Sequence, residues 1–500
     1  MMTTDELILG IYFISLTILF FFGSHGFSMV YYYFKTFESR TKDLSLEELT
    51  IPDYPVVTVQ LPLFNERYVI RRLIDACTRL DYPKDKLEIQ ILDDSTDDTV
   101  DIVHNHIQKY IEQGFDIKHI HRTNRTGFKA GALKEGLEIA RGEFIAIFDA
   151  DFIPRKKFLI RTLPYFFRDE NIGLVQTRWE HLNRDYSVIT KTQAVALDGH
   201  FVIEQAVRNR AGFYINFNGT AGIWRKKCIL DAGNWEADTL TEDLDLSYRA
   251  QMKGWMFKYL VNFTSPAELP VDINSLKSQQ FRWTKGAIET AKKIFPRVLK
   301  TNLPLTMKLQ SFVHLWSNLA YPFILIAGIL NLPVLLIKLG GEFDEFFKLM
   351  SVFVFAFISS FMFYLHSQKD VYPDWQKRII FFPVFLAGSM GMSINNTKAV
   401  IEGLFGKKSE FVRTPKFKVN QTGDTINDVK YITKKVPFTS LLEAVMSIYC
   451  FVGVGFAVAY AQIAAIPFQL MFALGFGMVS FLSIKQVIEH NHAVSKLKAA

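Results

Sequence analysis

Residues 8–34 contain no Asp, Glu, Lys or Arg over 27 positions. A helix rises about 1.5 Å per residue, so roughly 20 apolar residues cross a hydrocarbon core of about 30 Å. The stretch predicts a membrane span. A signal peptide fits less well, because Asp5 and Glu6 stand where basic charge belongs and the apolar run is too long for a signal core. Lys35, Arg40 and Lys42 follow, which puts the next segment in the cytosol by the positive-inside tendency.

Hydrophobic residues make up 49% of the 500 and the mean hydropathy is +0.12, too apolar for an ordinary soluble chain of this size. Further spans are predicted at 312–337, with kinks at Pro322 and Pro333, and at 346–365, the two forming a pair within 312–366. A second pair, 441–460 and 463–484, fills 441–484. Residues 379–394 are apolar but short and rich in small residues; a crossing there would put the basic stretch 407–418 outside. The segment 379–405 is therefore expected to be interfacial or re-entrant. Five spans place 1–6 and 341–345 outside, and Lys496 and Lys498 inside, in a plasma (inner) membrane or a Golgi-type membrane. The net charge of +7 partly flanks these apolar segments and no nucleic-acid-binding module is recognisable, so no nucleic acid partner is expected. Cys77, Cys228 and Cys450 are too scattered for a zinc site or a disulfide framework.

Residues 55–275 read as a soluble α/β domain. Strands are expected at 56–61, 87–92, 117–120 and 144–148, with helices between them and a longer helix over 188–208. Alternation of this kind implies a mostly parallel sheet, with ligands outside the carboxyl ends of its strands. Asp93 and Asp94 close one strand, and Asp149 and Asp151 follow another, so the two pairs should share one crevice. Two acids in such a place read either as a solvated turn or as a site for Mg²⁺ or Mn²⁺ that neutralises a diphosphate. The glycines of 217–222 suggest close backbone approach or a plain turn. Thr241, ahead of Glu242 and Asp243, reads as a helix cap. Residues 276–303 form an amphipathic helix whose apolar side carries Ile288, Ala291, Ile294 and Phe295, suited to a membrane surface.

Asp93-Asp94, Asp149-Ala150-Asp151, Thr241-Glu242-Asp243 and Gln279-Gln280-Phe281-Arg282-Trp283, in that order and followed by spans, resemble the signature of the processive inverting glycosyltransferases of family 2. That family includes the cellulose, chitin and hyaluronan synthases. Val175-Gln176-Thr177-Arg178-Trp179-Glu180, the stretch 217–225 and Asn396-Thr397-Lys398-Ala399 look most like the plant cellulose-synthase-like mannan and glucan-backbone synthases and their bacterial relatives. The resemblance covers roughly residues 55–418.

It implies a GT-A (Rossmann-like) cytosolic domain inserted between transmembrane helices, polymerising a β-linked glucan, mannan or glucomannan. The implied donor is UDP-glucose or GDP-mannose and the acceptor the growing polysaccharide, threaded across the bilayer. Asp149 and Asp151 would hold the metal, Asp93 and Asp94 the base or ribose, and Lys129, Gln279 and Arg282 the phosphates. Asp243 would be the general base, with Glu242 and Trp283 at the acceptor. Within 406–437, Phe411, Thr414 and Lys416 match a gating loop, although Arg413 replaces its usual Val. Trp316, Tyr321, Phe363 and Tyr449 are candidates to line a path. A glycolipid-forming transferase and a non-catalytic transport or assembly subunit are the competing readings. The intact acids argue against the latter, and the paired spans after the gating-like segment against the former.

Overall fold

A computed structural model of the chain describes residues 3–38, 50–51, 53–408, 416, 418–419 and 435–499. Seven strands form one sheet in the order β3-β2-β1-β4-β6-β5-β7: β1 Val57–Leu63, β2 Leu87–Asp93, β3 Asp116–His121, β4 Phe144–Ile147, β5 Ile172–His181, β6 Gly222–Arg225 and β7 Met256–Ala267. Strands β3, β2, β1 and β4 run parallel, β6 is antiparallel to both β4 and β5, and β5 is parallel to β7. The sheet is thus mostly parallel, as expected, with one reversed strand inside it.

Every residue of β1, β2 and β4 is buried, because helices cover both faces. Side chains alternate between the two cores: Val57, Val59, Leu61, Ile89, Ile91 and Phe144 pack on one side, Leu92, Ile145 and Ile147 on the other. The polar residues in these strands answer one another across the ladder. Thr58 Oγ1 donates to Glu88 Oε2 (2.5 Å) and Gln60 Nε2 to Gln90 Oε1 (3.0 Å), each between partners in register. Strand order reverses between β1 and β4, and this switch point opens the crevice that holds the acids.

Five helices among the described residues are long and apolar enough to cross a membrane: Thr4–Lys35, Leu305–Leu339, Asp344–Val371, Phe438–Ala459 and Ile463–Glu489. A sixth candidate, Trp375–Gly391 with Ser393–Leu404, is bent by 51° between its halves. The break in the second span falls at Ser317–Leu319, one turn before Pro322, since the proline ring crowds the carbonyl of Asn318 four residues back. Pro333 lies inside the unbroken helix Ala320–Leu339.

The amphipathic helix runs Ile273–Lys300, and its apolar side faces protein rather than lipid. Ile294, Ala291 and Val298 pack with Leu244, Tyr248 and Leu315. Lys277 Nζ ties it to Glu443 of the fourth span at 2.7 Å. The predicted helix over 188–208 is interrupted: Val188–Asp198 and Ala206–Arg210 are α-helical, and Gly199–Gln205 between them is a π-helix.

Candidate active site

Asp149 follows β4 by two residues, and its backbone N–H donates to Thr220 Oγ1 at 2.9 Å. Its carboxylate faces Lys129 Nζ at 2.6 Å. Lys129 sits in the first turn of the helix Phe128–Ile139 and also donates to the Gly219 carbonyl at 2.8 Å. Asp151 Oδ2 lies 2.7 Å from Lys416 Nζ, which donates to the Glu268 carbonyl at 2.7 Å. Each acid of the pair therefore carries one ammonium. Hard carboxylate oxygens that gather positive charge at the end of a parallel strand are the donor set that Mg²⁺ or Mn²⁺ takes, and the residues fit such an ion. A separate cluster, Glu236, Asp238 and Asp245, is already filled by Lys293 Nζ at 2.5, 2.8 and 3.0 Å and reads as a salt-bridge knot.

Glu242 and Asp243 open the helix Glu242–Met252. Thr241 does not cap it with its side chain; the hydroxyl instead meets Thr290 Oγ1 of the Ile273–Lys300 helix at 3.0 Å. On that helix Gln279, Arg282 and Trp283 share a face by their i, i+3, i+4 spacing. Gly286, one turn on, lets the helix close on Thr241, since a Cβ there would lie 2.7 Å from Thr241 Cγ2. The close approach joins the two motifs.

A cavity of about 190 Å³ is lined by Asp94, Lys129, Asp149, Asp151, Glu242, Asp243, Gln279, Arg282, Trp283 and Lys416. Ten of the candidate residues thus meet in one place. Asp93 does not reach it: the carboxylate is fully buried, accepts from the Ser95 N–H at 2.8 Å and meets His119 Nε2 at 2.9 Å. Asp94 reaches the wall but is clasped by Arg122, whose Nε and Nη2 each donate to one oxygen at 2.7 Å. Phe411 and Thr414 lie outside the described residues. Sequence reasoning missed Arg122, Thr220 and Gly286, whose roles depend on partners distant in the chain. It also missed the flat surface made by Arg125 over the Phe64 ring, 3.4 Å from its centroid.

Burial, with the charge of Glu242 beside it, pushes the Asp243 carboxyl up to about 7. Burial likewise raises Glu242 and Asp149. For Lys129 burial works against the charge, but Asp149 and Glu242 outweigh it and hold the ammonium above its ordinary value. A carboxylate poised near neutral pH is suited to take a proton from a hydroxyl.

A second cavity, about 770 Å³, adjoins the first. Trp179, Leu197, Asn218, Thr241, Asp243 and Trp283 line both. Its far walls come from three spans and the bent helix pair, with Asn318 and Tyr321 of the second span, Tyr364 of the third, Met478 and Leu482 of the fifth, and Phe385 and Asn396 of the bent pair. Of the aromatic residues expected along a path, Tyr321 lines this cavity, whereas Tyr364 rather than its neighbour Phe363 faces it.

Residues 53–286 match the family described as glycosyltransferase-like family 2. Glucomannan 4-beta-mannosyltransferase 2 of Arabidopsis thaliana is 36% identical over 75% of this chain and 70% of its own length. Probable glucomannan 4-beta-mannosyltransferase 3 of Oryza sativa subsp. japonica is 34% identical over 81% of this chain and 74% of its own length. The chain belongs to glycosyltransferase family 2. Among solved structures, a mannosyltransferase from Pyrobaculum calidifontis in complex with GDP-Man and Mn²⁺ superposes with a TM-score of 0.54 at 18% identity, covering 80% of this chain and 100% of that one. That likeness establishes the GT-A fold around the cavity. The family 2 enzyme described here is an inverting, nucleotide-sugar-dependent transferase set among membrane helices.

Proposed function

We propose that this enzyme builds a β-(1→4)-linked mannan or glucomannan from GDP-mannose, and that the growing chain occupies the larger cavity. The observation that carries this reading is the shared wall: Asp243 and Trp283 line both the small cavity of the phosphate- and metal-binding residues and the large one that runs between the spans. A donor on one side and a polymer on the other then meet at a single base. The named relatives, glucomannan mannosyltransferases, support mannose as the sugar transferred.

Arg282 and Gln279 bind the donor diphosphate, the guanidinium matching phosphate oxygens with its planar fork. Asp94, fixed by Arg122, contacts the nucleoside, and Arg125 over Phe64 offers its base a stacking surface. Asp149 and Asp151 hold Mg²⁺ or Mn²⁺, which when bound neutralises charge on the leaving diphosphate. Lys129 adds positive charge beside it. Trp283 presents a flat face to the terminal sugar, and Asp243 removes the proton from that sugar's hydroxyl as it attacks C1. One displacement turns an α-linked donor into a β-linked product. Lys35 and the basic tail face the cytosol, so the polymer leaves through the spans to the other side; a polar chain needs a lined path through hydrocarbon.

The test is incorporation of label by the detergent-purified protein from GDP-mannose and from UDP-glucose, separately and together, with Mg²⁺ or Mn²⁺. Polymer cut by endo-β-mannanase is the expected product. Label confined to a lipid carrying one sugar would overturn the reading in favour of a glycolipid synthase.

A further inference from the structure

The π-helical segment Gly199–Gln205 interrupts a helix whose sequence otherwise reads as continuous. Single π-turns inside α-helices are uncommon and concentrate at functional sites, because the extra residue re-aims the side chains that follow it. Three of its side chains, His200, Phe201 and Glu204, line the 770 Å³ cavity, and His200 and Glu204 are the polar ones. His200 Nδ1 lies 3.0 Å from Glu204 Oε2, and the two side chains keep 32% and 25% of their surface open. They are half-sheltered and face a space large enough for several rings, since ligand pockets run to roughly 300–1,000 Å³.

The surroundings fix this segment closely. Gly199 leaves no room for a side chain, as a Cβ there would lie 2.4 Å from Cε1 of Tyr364, another residue of the cavity wall. Gln205 Nε2 lies 2.8 Å from Asn216 Oδ1 and 2.7 Å from Asn218 Oδ1, and both asparagines line the same cavity. Arg208, one turn further, is not the partner of Glu204: its guanidinium donates to the Tyr214 carbonyl and to Gln310. Among the described residues, His200 is the one hydrogen-bonding partner of the Glu204 carboxylate. Burial works to raise that carboxyl, but the hydrogen bond and charge of His200, together with the charges of His314 and Arg208, outweigh it and hold the group below the usual carboxylate range.

We infer that Glu204, oriented by His200, is a sugar-binding residue of the acceptor path, accepting hydrogen bonds from neighbouring hydroxyls of a hexopyranose in the bound chain beyond the sugar that reacts. A carboxylate has two oxygens and no donor, so it pairs with two adjacent hydroxyls at once. Asn216 and Asn218, held by Gln205, add amide groups able to donate or accept, and Tyr321 and Tyr364 supply apolar faces for the ring. Glu204 lines only the larger cavity, so it acts on the polymer and not on the nucleotide. The inference rests on the reading of that cavity as the polymer's place.

The experiment measures binding of mannohexaose to the donor-free, full-length protein, and of GDP-mannose to the same preparations, for the wild type, Glu204→Gln and His200→Gln. Glu204→Gln is expected to weaken mannohexaose about tenfold, the loss of one charge-assisted contact, and to shorten the product, with GDP-mannose affinity unchanged. His200→Gln should move both in the same direction by less. Unchanged mannohexaose affinity in both variants overturns the inference, as does a wild type that binds no oligosaccharide. Should Glu204→Gln fail to fold, His200→Gln decides by the same measurement. A wild type that binds mannohexaose through Glu204 yet transfers nothing from GDP-mannose would leave this subsite standing and overturn only the choice of donor.

Discussion

Gly219 and Asp243 are in contact: a Cβ built on Gly219 would lie 2.9 Å from Asp243 Oδ2, and Gly219 itself holds φ +77°. Glycine meets both demands there, since other residues rarely adopt that backbone and none has room for its side chain. Gly219→Ala should lower the transfer rate at least tenfold by displacing the base, with a smaller loss of thermal stability. Steady-state rates beside a melting curve would separate the two effects.

Asp243 is expected to give the transfer rate a rising limb with pH centred near 7, because the base works only when deprotonated. Asp243→Asn should lose about 10²–10⁴-fold in rate and the pH limb with it, while GDP-mannose still binds. Stability moves the opposite way. A carboxyl raised by burial favours the folded state only while protonated, so that contribution is present below its unfolded pKa and lost as pH rises through about 7. The variant should therefore melt above the wild type at pH 8, with the gap narrowing towards pH 4.

Lys416 Nζ stands 2.7 Å from Asp151 Oδ2, an oxygen that the proposed metal would need. Removing it as Lys416→Ala should tighten Mn²⁺ binding to the nucleotide-free protein by about tenfold, the equivalent of roughly 1.4 kcal/mol. Titration calorimetry or the Mn²⁺ electron spin resonance signal reads this without turnover. Unchanged affinity would mean that the two cations do not share the site.

Arg122 clasps Asp94 with two parallel hydrogen bonds and also reaches the carbonyls of Thr126 and Phe128, on the approach to Lys129. Lysine keeps the charge and loses the fork. Arg122→Lys is expected to raise the donor KM about tenfold with little change in kcat, because it loosens nucleotide binding and leaves Asp243 in place.

Between the bent helix pair and the last span, a Cβ on Gly475 would lie 2.0 Å from the Ala387 carbonyl, and one on Gly391 2.2 Å from the Gly475 carbonyl. Small residues let membrane helices approach this closely. Gly475→Val should cost about 1–3 kcal/mol, the usual penalty of overpacking, and lower the melting temperature in detergent.

Asp93, Asp94, Asp149 and Asp151 were legible because each ends or follows a strand whose apolar run is itself legible, and parallel strands deliver their carboxyl ends to one edge. Gln279, Arg282 and Trp283 were legible through the motif that resembles the family signature, and helical spacing puts the three on one face. Less visible was how the acids divide their work. Asp93 and Asp94 are adjacent and look alike in sequence, yet one turns inward to His119 while the other meets the cavity in the grip of Arg122. The interruption at Gly199–Gln205 left no local trace, since the residues around it have ordinary helical character.

By itself the sequence determined the apolar spans, four of the seven strands and the positions of the acids, because burial leaves a period of 2 or 3.6 in any chain that folds, while the order of its motifs carried the resemblance to the family. Only the tertiary structure decided that Asp243 stands at the shared wall of two cavities, that its carboxyl is raised towards neutral pH, and that Lys416 and Lys129 face Asp151 and Asp149. These depend on distances between residues far apart in sequence and on the exclusion of water from the space between them, which no local pattern records.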